Sequence, residues 1–162
     1  VTPPLFSAEE AWGAVDASIA GYLGLGDHGR VVLSTRLGQK FTWGNVPYFG
    51  AAFLGGGRFF SGGATARGFI AQRFAGDAVV YANVDGRVYL FRFPLFVPTD
   101  VGLLAFGDVG RVFLIGEPSG TWHPSGGGGF WLAPLARTNT VSFSVAASEE
   151  DVLVYVRAGF HY

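Results

Sequence analysis

The stretch Asp77–Phe93, "DAVVYANVDGRVYLFRF", decides the fold class. Ala78, Val80, Ala82, Val84, Val88 and Leu90 fall on one parity, and Tyr81, Asn83, Asp85, Arg87 and Tyr89 on the other. A period of two places these rows on opposite faces of a β-strand. Spanning about 77–93, the strand is far longer than the usual 5–6 residues. One side is small and aliphatic, and the other carries the charge.

The same pattern recurs on both sides of this stretch. Strand one, about 8–24, sets Val15, Ala17, Ile19, Gly21 and Leu23 against Asp16, Ser18, Ala20 and Tyr22. Strand two, about 30–43, sets Val31, Leu33, Thr35, Leu37, Phe41 and Trp43 against Arg30, Ser34, Arg36, Lys40 and Thr42. Strand three, about 47–54, is short, and the quoted stretch is strand four. Strand five, about 100–115, opposes Leu103, Ala105 and Val109 to Phe106 and Asp108. Strand six, about 125–134, opens on the quartet Gly126–Gly129, where glycine suits close packing by backbone or a bulky side chain. Strand seven, about 139–147, and strand eight, 151–162, complete an all-β chain of eight strands. The apolar faces end in aromatics: Trp43 in strand two, Phe160 and Tyr162 in strand eight.

Composition narrows the class further. Of 162 residues, 49% are hydrophobic and only 14% charged, against a usual charged share of about 25%. No uninterrupted apolar run is long enough for a transmembrane helix, which needs about 18 residues. High apolar content without an apolar run suits a transmembrane β-barrel, whose strands are apolar at alternate positions and girdled by aromatics. A soluble β-sandwich also alternates, but strand length and the terminal aromatics favour the barrel. There are 26 glycines, aromatics make up 16%, and no cysteine is present, so disulfides and thiolate metal sites are excluded. A formal net charge of −1 argues against nucleic-acid binding. The first residues, "VTPPLFSAEE", lack a signal peptide's basic and apolar regions, so a leader is expected to have been removed, or the chain to be a piece of something larger.

Chemistry-bearing motifs are few. Gly24–Gly29 matches G-x-G-x-x-G, but a strand follows instead of the helix that would meet a pyrophosphate, so it reads as a hairpin turn. His28, His123 and His161 stand at no ligand spacing, and no G-x-S-x-G elbow occurs. Asp85, Asp108 and Arg87 read better as charge partners inside a barrel than as a catalytic set. No enzyme activity, metal or cofactor is expected.

The glycine-rich segment before strand four, "GGATARGFIAQRFAGD", Gly62–Asp77, holds Arg67-Gly68-Phe69. With its neighbours it resembles the C-terminal part of the bacterial surface antigen barrels, the BamA/TamA-type outer-membrane assembly and translocation superfamily. "PYFGAAFLGG" is similar to the strand that leads into that family's long loop, and Arg67-Gly68-Phe69 to the loop's R-G-F/Y tip. "YANVDGRVYL" resembles the N-x-E-L-R strand, with Asp85 for Glu and Gly86 for Leu. "LLAFGDVGRVF" resembles the F-x-D-x-G strand through Phe106, Asp108 and Gly110, "SGGGGFWLAP" the strand after it, and "AGFHY" the aromatic C-terminal signal, through Phe160 and Tyr162. The resemblance covers residues 47–162.

The resemblance implies that the loop, about 54–76, folds back into the barrel lumen. Its Arg67 would meet Asp108, with Phe106 beside it and Asp85 nearby. An arginine in a partly dry lumen needs a carboxylate, and its planar fork suits a bidentate pair. The family barrel has sixteen strands preceded by POTRA domains, so the chain corresponds to the second half of the barrel, without POTRA domains. Eight strands enclose too little space for such a loop, and an open sheet in lipid leaves unpaired edges. Edge-to-edge pairing of two copies into sixteen strands is the expectation. A missing first half, or closure alone with the loop outside or across the mouth, are the alternatives. The implied role is polypeptide insertion or translocation at the outer membrane, in contact with lipid and client polypeptides, or a derived structural anchor. A passive porin with a mostly basic lumen and a soluble ligand-binding β-domain are the rivals.

Overall fold

The computed structural model describes residues 11–26, 30–56, 64–118 and 120–159. The fold is all-β and antiparallel. The strands are β1 (Trp12–Leu25), β2 (Val31–Gly44), β3 (Ala52–Leu54), β4 (Phe74–Gly76), β5 (Ala78–Leu95), β6 (Val97–Phe113), β7 (His123–Pro134), β8 (Val141–Ser148) and β9 (Val152–Ala158). Seven of them form one sheet in the order β1-β2-β5-β6-β7-β8-β9, while β3 and β4 form a separate two-stranded sheet.

The expected strand three, about 47–54, is not part of the main sheet. Tyr48–Gly50 is a turn of 3-10 helix, and only Ala52–Leu54 is extended, pairing with Phe74–Gly76. β2 pairs directly with β5, Leu37 opposite Ala82. The physical reason is packing: Ala52 and Leu54 are fully buried in a cluster with Ala66, Phe69, Val79 and Tyr81. The segment is apolar because it lies beneath the loop, not because it lines a wall. Strand one also begins later than expected, at Trp12. Phe160 and Tyr162, read as a C-terminal signal, lie outside the described residues.

Register carries each face across the sheet. Ile19 pairs with Leu37, Leu37 with Ala82, Val88 with Leu103, Leu103 with Phe130, Phe130 with Phe143, and Val145 with Val154. This outward face is apolar and exposed: Ile19 is 71% exposed, Leu37 59%, Leu103 51% and Val154 64%. From Gly13 to Leu25 on β1, through the matching rows, to Val152–Ala158 on β9, its first charged side chain is Arg111, near the end of β6. The opposite face carries Asn83, Asp85, Arg87, Asp108, Ser142, Ser144, Tyr155 and Arg157, all buried. A sheet that hides its charges and shows its aliphatics has the inverse of a soluble sandwich's polarity.

What covers the polar face is the chain between β2 and β5. Phe69 and Leu54 are among the most buried large side chains, and a second cluster, Leu104, Phe106, Trp131, Ala133, Ala146 and Tyr155, lies beside the first. β1 keeps both faces exposed over nearly its whole length. Of the described strands, none pairs with the outer edges of β1 and β9.

Candidate functional site

The Arg67 side chain is 3% exposed and is held by two aspartates from adjacent strands. Asp85 on β5 lies opposite Phe106, and Asp108 on β6 opposite Asn83. Both carboxylates therefore sit on the loop-bearing face one pleat apart. Nε donates to Asp108 Oδ2 at 2.7 Å and Nη2 to Asp108 Oδ1 at 2.6 Å, a bidentate fork. The Arg67 backbone N–H adds a third bond to Asp108 Oδ2 at 2.8 Å. Nη1 and Nη2 reach Asp85 at 2.6 and 3.2 Å. The guanidinium also lies 3.8 Å from the centroid of the Phe106 ring, close enough for a cation–π contact in a desolvated setting.

Burial works against the Arg67 charge, but the hydrogen bonds and field of Asp108, then those of Asp85, more than offset it and push its pKa above the ordinary value. Two carboxylates facing one guanidinium would leave a buried negative charge. Arg157, 6% exposed on β9, stands on the same face, opposite Ser142, and brings a second cation to it.

Backbone contacts pin the loop on either side of Arg67. Gly68 N–H donates to Tyr155 Oη at 2.9 Å, and Gly68 C=O accepts from Ser148 Oγ at 2.8 Å. Asn83 Nδ2 donates to Thr65 C=O at 3.1 Å. Gly68 has φ +88°, and a Cβ there would lie 3.2 Å from both the Ala147 carbonyl carbon and Ser125 Cβ, so conformation and space both call for glycine. Phe69 packs edge-on against Phe74 and His123, whose rings stack 3.8 Å apart. At the loop's exit, Arg73 pairs with Glu150 at 2.7 Å, which raises the pKa of this exposed arginine.

Glycines on β6 and β7 make the seat. A Cβ on Gly110 would collide with the Leu54 side chain, and one on Gly127 would lie 2.7 Å from Phe106 Cζ. Within the quartet Gly126–Gly129, it is Gly127 that leaves room for the Phe106 ring against which Arg67 lies.

The sequence-predicted residues Arg67, Gly68, Phe69, Phe106, Asp108 and Asp85 thus meet at one place. Tyr155, Ser148, Asn83 and Thr65 were not foreseen as loop contacts. Their signal was parity alone, since Tyr155 and Asn83 stand on the polar rows of their strands. The assembly holds no nucleophile–base pair, and the described residues contain no group of His, Cys, Asp or Glu able to bind a metal. A cavity of about 560 Å³ lies away from it, lined mainly by outward-row residues such as Ile19, Leu37, Val80 and Val109 together with Trp122. The chemistry on offer is a static ion lock with a hydrogen-bonded backbone.

Compared with known proteins, the chain matches no family model, and no curated protein is significantly similar to it.

Proposed function

We propose that the chain forms part of the wall of an outer-membrane β-barrel of the surface antigen superfamily, with the 54–76 loop latched to the wall from inside. Its role is in polypeptide insertion or translocation, or as a structural anchor derived from it, and it is not catalytic. The observation that carries the reading is the pairing of an exposed outward face, charged only at Arg111 near the end of β6, with a buried Arg67–Asp85–Asp108 lock on the opposite face. In water the outward face would be a large apolar patch of the kind that drives association. In lipid it is at its lowest free energy, and the polar side is the one that must be sequestered.

The strand count bears on how such a wall closes. Each unpaired backbone group in hydrocarbon costs several kcal/mol, so the edges of β1 and β9 need partners. The seven described strands of the main sheet place β1 and β9 in the same direction. Two copies inserted in the same sense would give fourteen strands with two parallel seams. An odd number of further strands, supplied by another segment, closes the wall antiparallel throughout. We therefore favour completion by an odd set of strands over the edge-to-edge homodimer that eight strands would have allowed.

Alkaline extraction of cell membranes tests the placement. The protein is expected to stay in the membrane pellet and to need detergent for release, whereas recovery in the aqueous wash would favour a soluble ligand-binding domain. Native mass spectrometry of the detergent-solubilised protein tests the closure. A homodimer with no other strand-bearing polypeptide would overturn the odd-complement reading while leaving the membrane placement intact. Planar-bilayer conductance separates a passive, anion-favouring channel from a plugged wall: the latched loop predicts a low basal conductance that rises when Arg67 is removed.

A further inference from the structure

The outward face carries a trough. One outward row runs Ile19, Leu37, Ala82, Val109 across β1, β2, β5 and β6, and the next, nearer the end that bears the loop, begins Ala17, Gln39, Val80. Ala17 and Ala82 are short, whereas Ile19 and Leu37 stand out at 71% and 59% exposure. Trp122, in the segment leading into β7, borders the cavity of about 560 Å³ that these rows line. Its ring centroid lies 5.7 Å from the guanidinium of Arg111, the register partner of Val80. Val80, Ala82 and Val109 are only partly exposed, while Val84 and Leu103, farther along the same face, are 50% and 51% exposed. A volume of this size falls in the range of small-molecule sites, about 300–1,000 Å³.

The outward polar groups of the trough stand at one end. Gln39 presents an exposed amide and Trp122 an indole N–H, and neither side chain forms a hydrogen bond within the described residues. Farther along β2 in the same direction, Phe41 and Trp43 stack with centroids 6.1 Å apart. Aromatic side chains collect where a bilayer's hydrocarbon meets its headgroups. Gln39 therefore sits just inside that boundary, at the level of a lipid's ester carbonyls. An amide placed there costs free energy until it is hydrogen-bonded. Lipid tails are as apolar as leucine, so hydrocarbon alone has little reason to prefer the trough to the bulk bilayer. The trough adds close packing and a donor at a fixed depth. A glycerophospholipid matches that order, with hydrocarbon for the floor and an ester oxygen for the amide.

We propose that the trough is a binding site for one acyl chain of a glycerophospholipid. Its ester carbonyl accepts from the Gln39 amide, and its glycerol region lies beside Trp122. The site rests on the reading that the outward face meets lipid, and it adds to that reading one fixed lipid among the bulk.

The test is photo-cross-linking of the whole protein in vesicles of phosphatidylethanolamine and phosphatidylglycerol. The probe is a phosphatidylethanolamine with a diazirine on one acyl chain, and labelled residues are mapped by mass spectrometry. The expected result is saturable labelling, concentrated at Val80, Ala82, Val109 and Trp122 over the outward Leu103, Phe130 and Val154. Ala82→Phe fills the trough and is expected to flatten the pattern. Gln39→Leu alters only an exposed side chain, and the probe fraction for half-maximal labelling of Val109 is expected to rise about fivefold, the equivalent of one neutral hydrogen bond. Labelling spread evenly over the outward rows of the native protein would overturn the trough and leave the lipid-facing wall standing, whereas no label on any outward row would contradict the wall as well. Cross-links to a second copy in place of lipid would also overturn the site. If Ala82→Phe fails to fold, Gln39→Leu decides alone: an unchanged half-maximal probe fraction counts against the site.

Discussion

Arg67 and Asp108 are joined by three hydrogen bonds of 2.6–2.8 Å, two from the guanidinium and one from the backbone N–H of the same residue. The backbone bond matters as much as the fork, because it fixes where the loop's main chain lies on β6 as well as where its side chain points. Asp108 is therefore a receptor for one loop conformation. Removing the guanidinium takes four hydrogen bonds from the two buried aspartates. Losing one partner of a buried pair costs about 3–5 kcal/mol. Arg67→Ala is expected to lower unfolding stability by that amount, read as a lower urea midpoint in detergent and loss of heat-resistant gel mobility. An unchanged midpoint would mean that the loop is not docked on Asp108.

The two aspartates are unequal. From Arg67, Asp108 accepts the backbone N–H, Nε and Nη2, and Asp85 the two terminal nitrogens. A hydrogen bond to a charged group contributes about 1.5–3 kcal/mol. Asp108→Asn should therefore destabilise more than Asp85→Asn, by about 1.5–3 kcal/mol for the one extra bond. Equal urea midpoints for the two variants would contradict the asymmetry.

Gly68→Ala tests the loop's backbone separately from its charge. At φ +88° a Cβ costs about 1–2 kcal/mol, and here it also presses on Ala147 and Ser125. Weaker protection of the loop in hydrogen exchange is expected at Gly68 N–H, whose partner is Tyr155 Oη. Protection equal to the native chain would contradict the docked geometry.

Much of this was legible in the sequence because a strand writes its two faces as alternating letters. Asn83, Asp85 and Arg87 against Ala82, Val84 and Val88 gave both the strand and its polar row, and the F-x-D-x-G spacing placed Phe106 and Asp108 on one face of β6. "PYFGAAFLGG" misled for a physical reason. A loop segment that packs under its own tip is as apolar as a wall strand, and only the pairing of Ala52–Leu54 with Phe74–Gly76 tells them apart. The contacts of Tyr155 and Ser148 with Gly68 were beyond reach, since they join backbone groups about eighty residues away that no side-chain pattern encodes.

An outward-row charge tests the lipid reading energetically. Leu37 lies midway along β2, between Ile19 and Ala82, and is 59% exposed. In a soluble protein, arginine at such a site changes stability by no more than about 0.5 kcal/mol. At the midplane of a bilayer it costs about 2–4 kcal/mol. Leu37→Arg in lipid vesicles is expected to lose the larger amount, measured by reversible urea unfolding.

The most direct measurement uses the natural absence of cysteine. Single cysteines at Ile19 and Leu37 on the outward rows and at Ser18 on the opposite face of β1 can each carry an environment-sensitive fluorophore in the native membrane or in vesicles. The predicted result is blue-shifted emission, quenched by lipid-borne spin labels, at 19 and 37, with emission at 18 quenched by a water-soluble agent instead. Aqueous quenching of equal strength at all three positions would contradict a sheet whose apolar face lies in the bilayer.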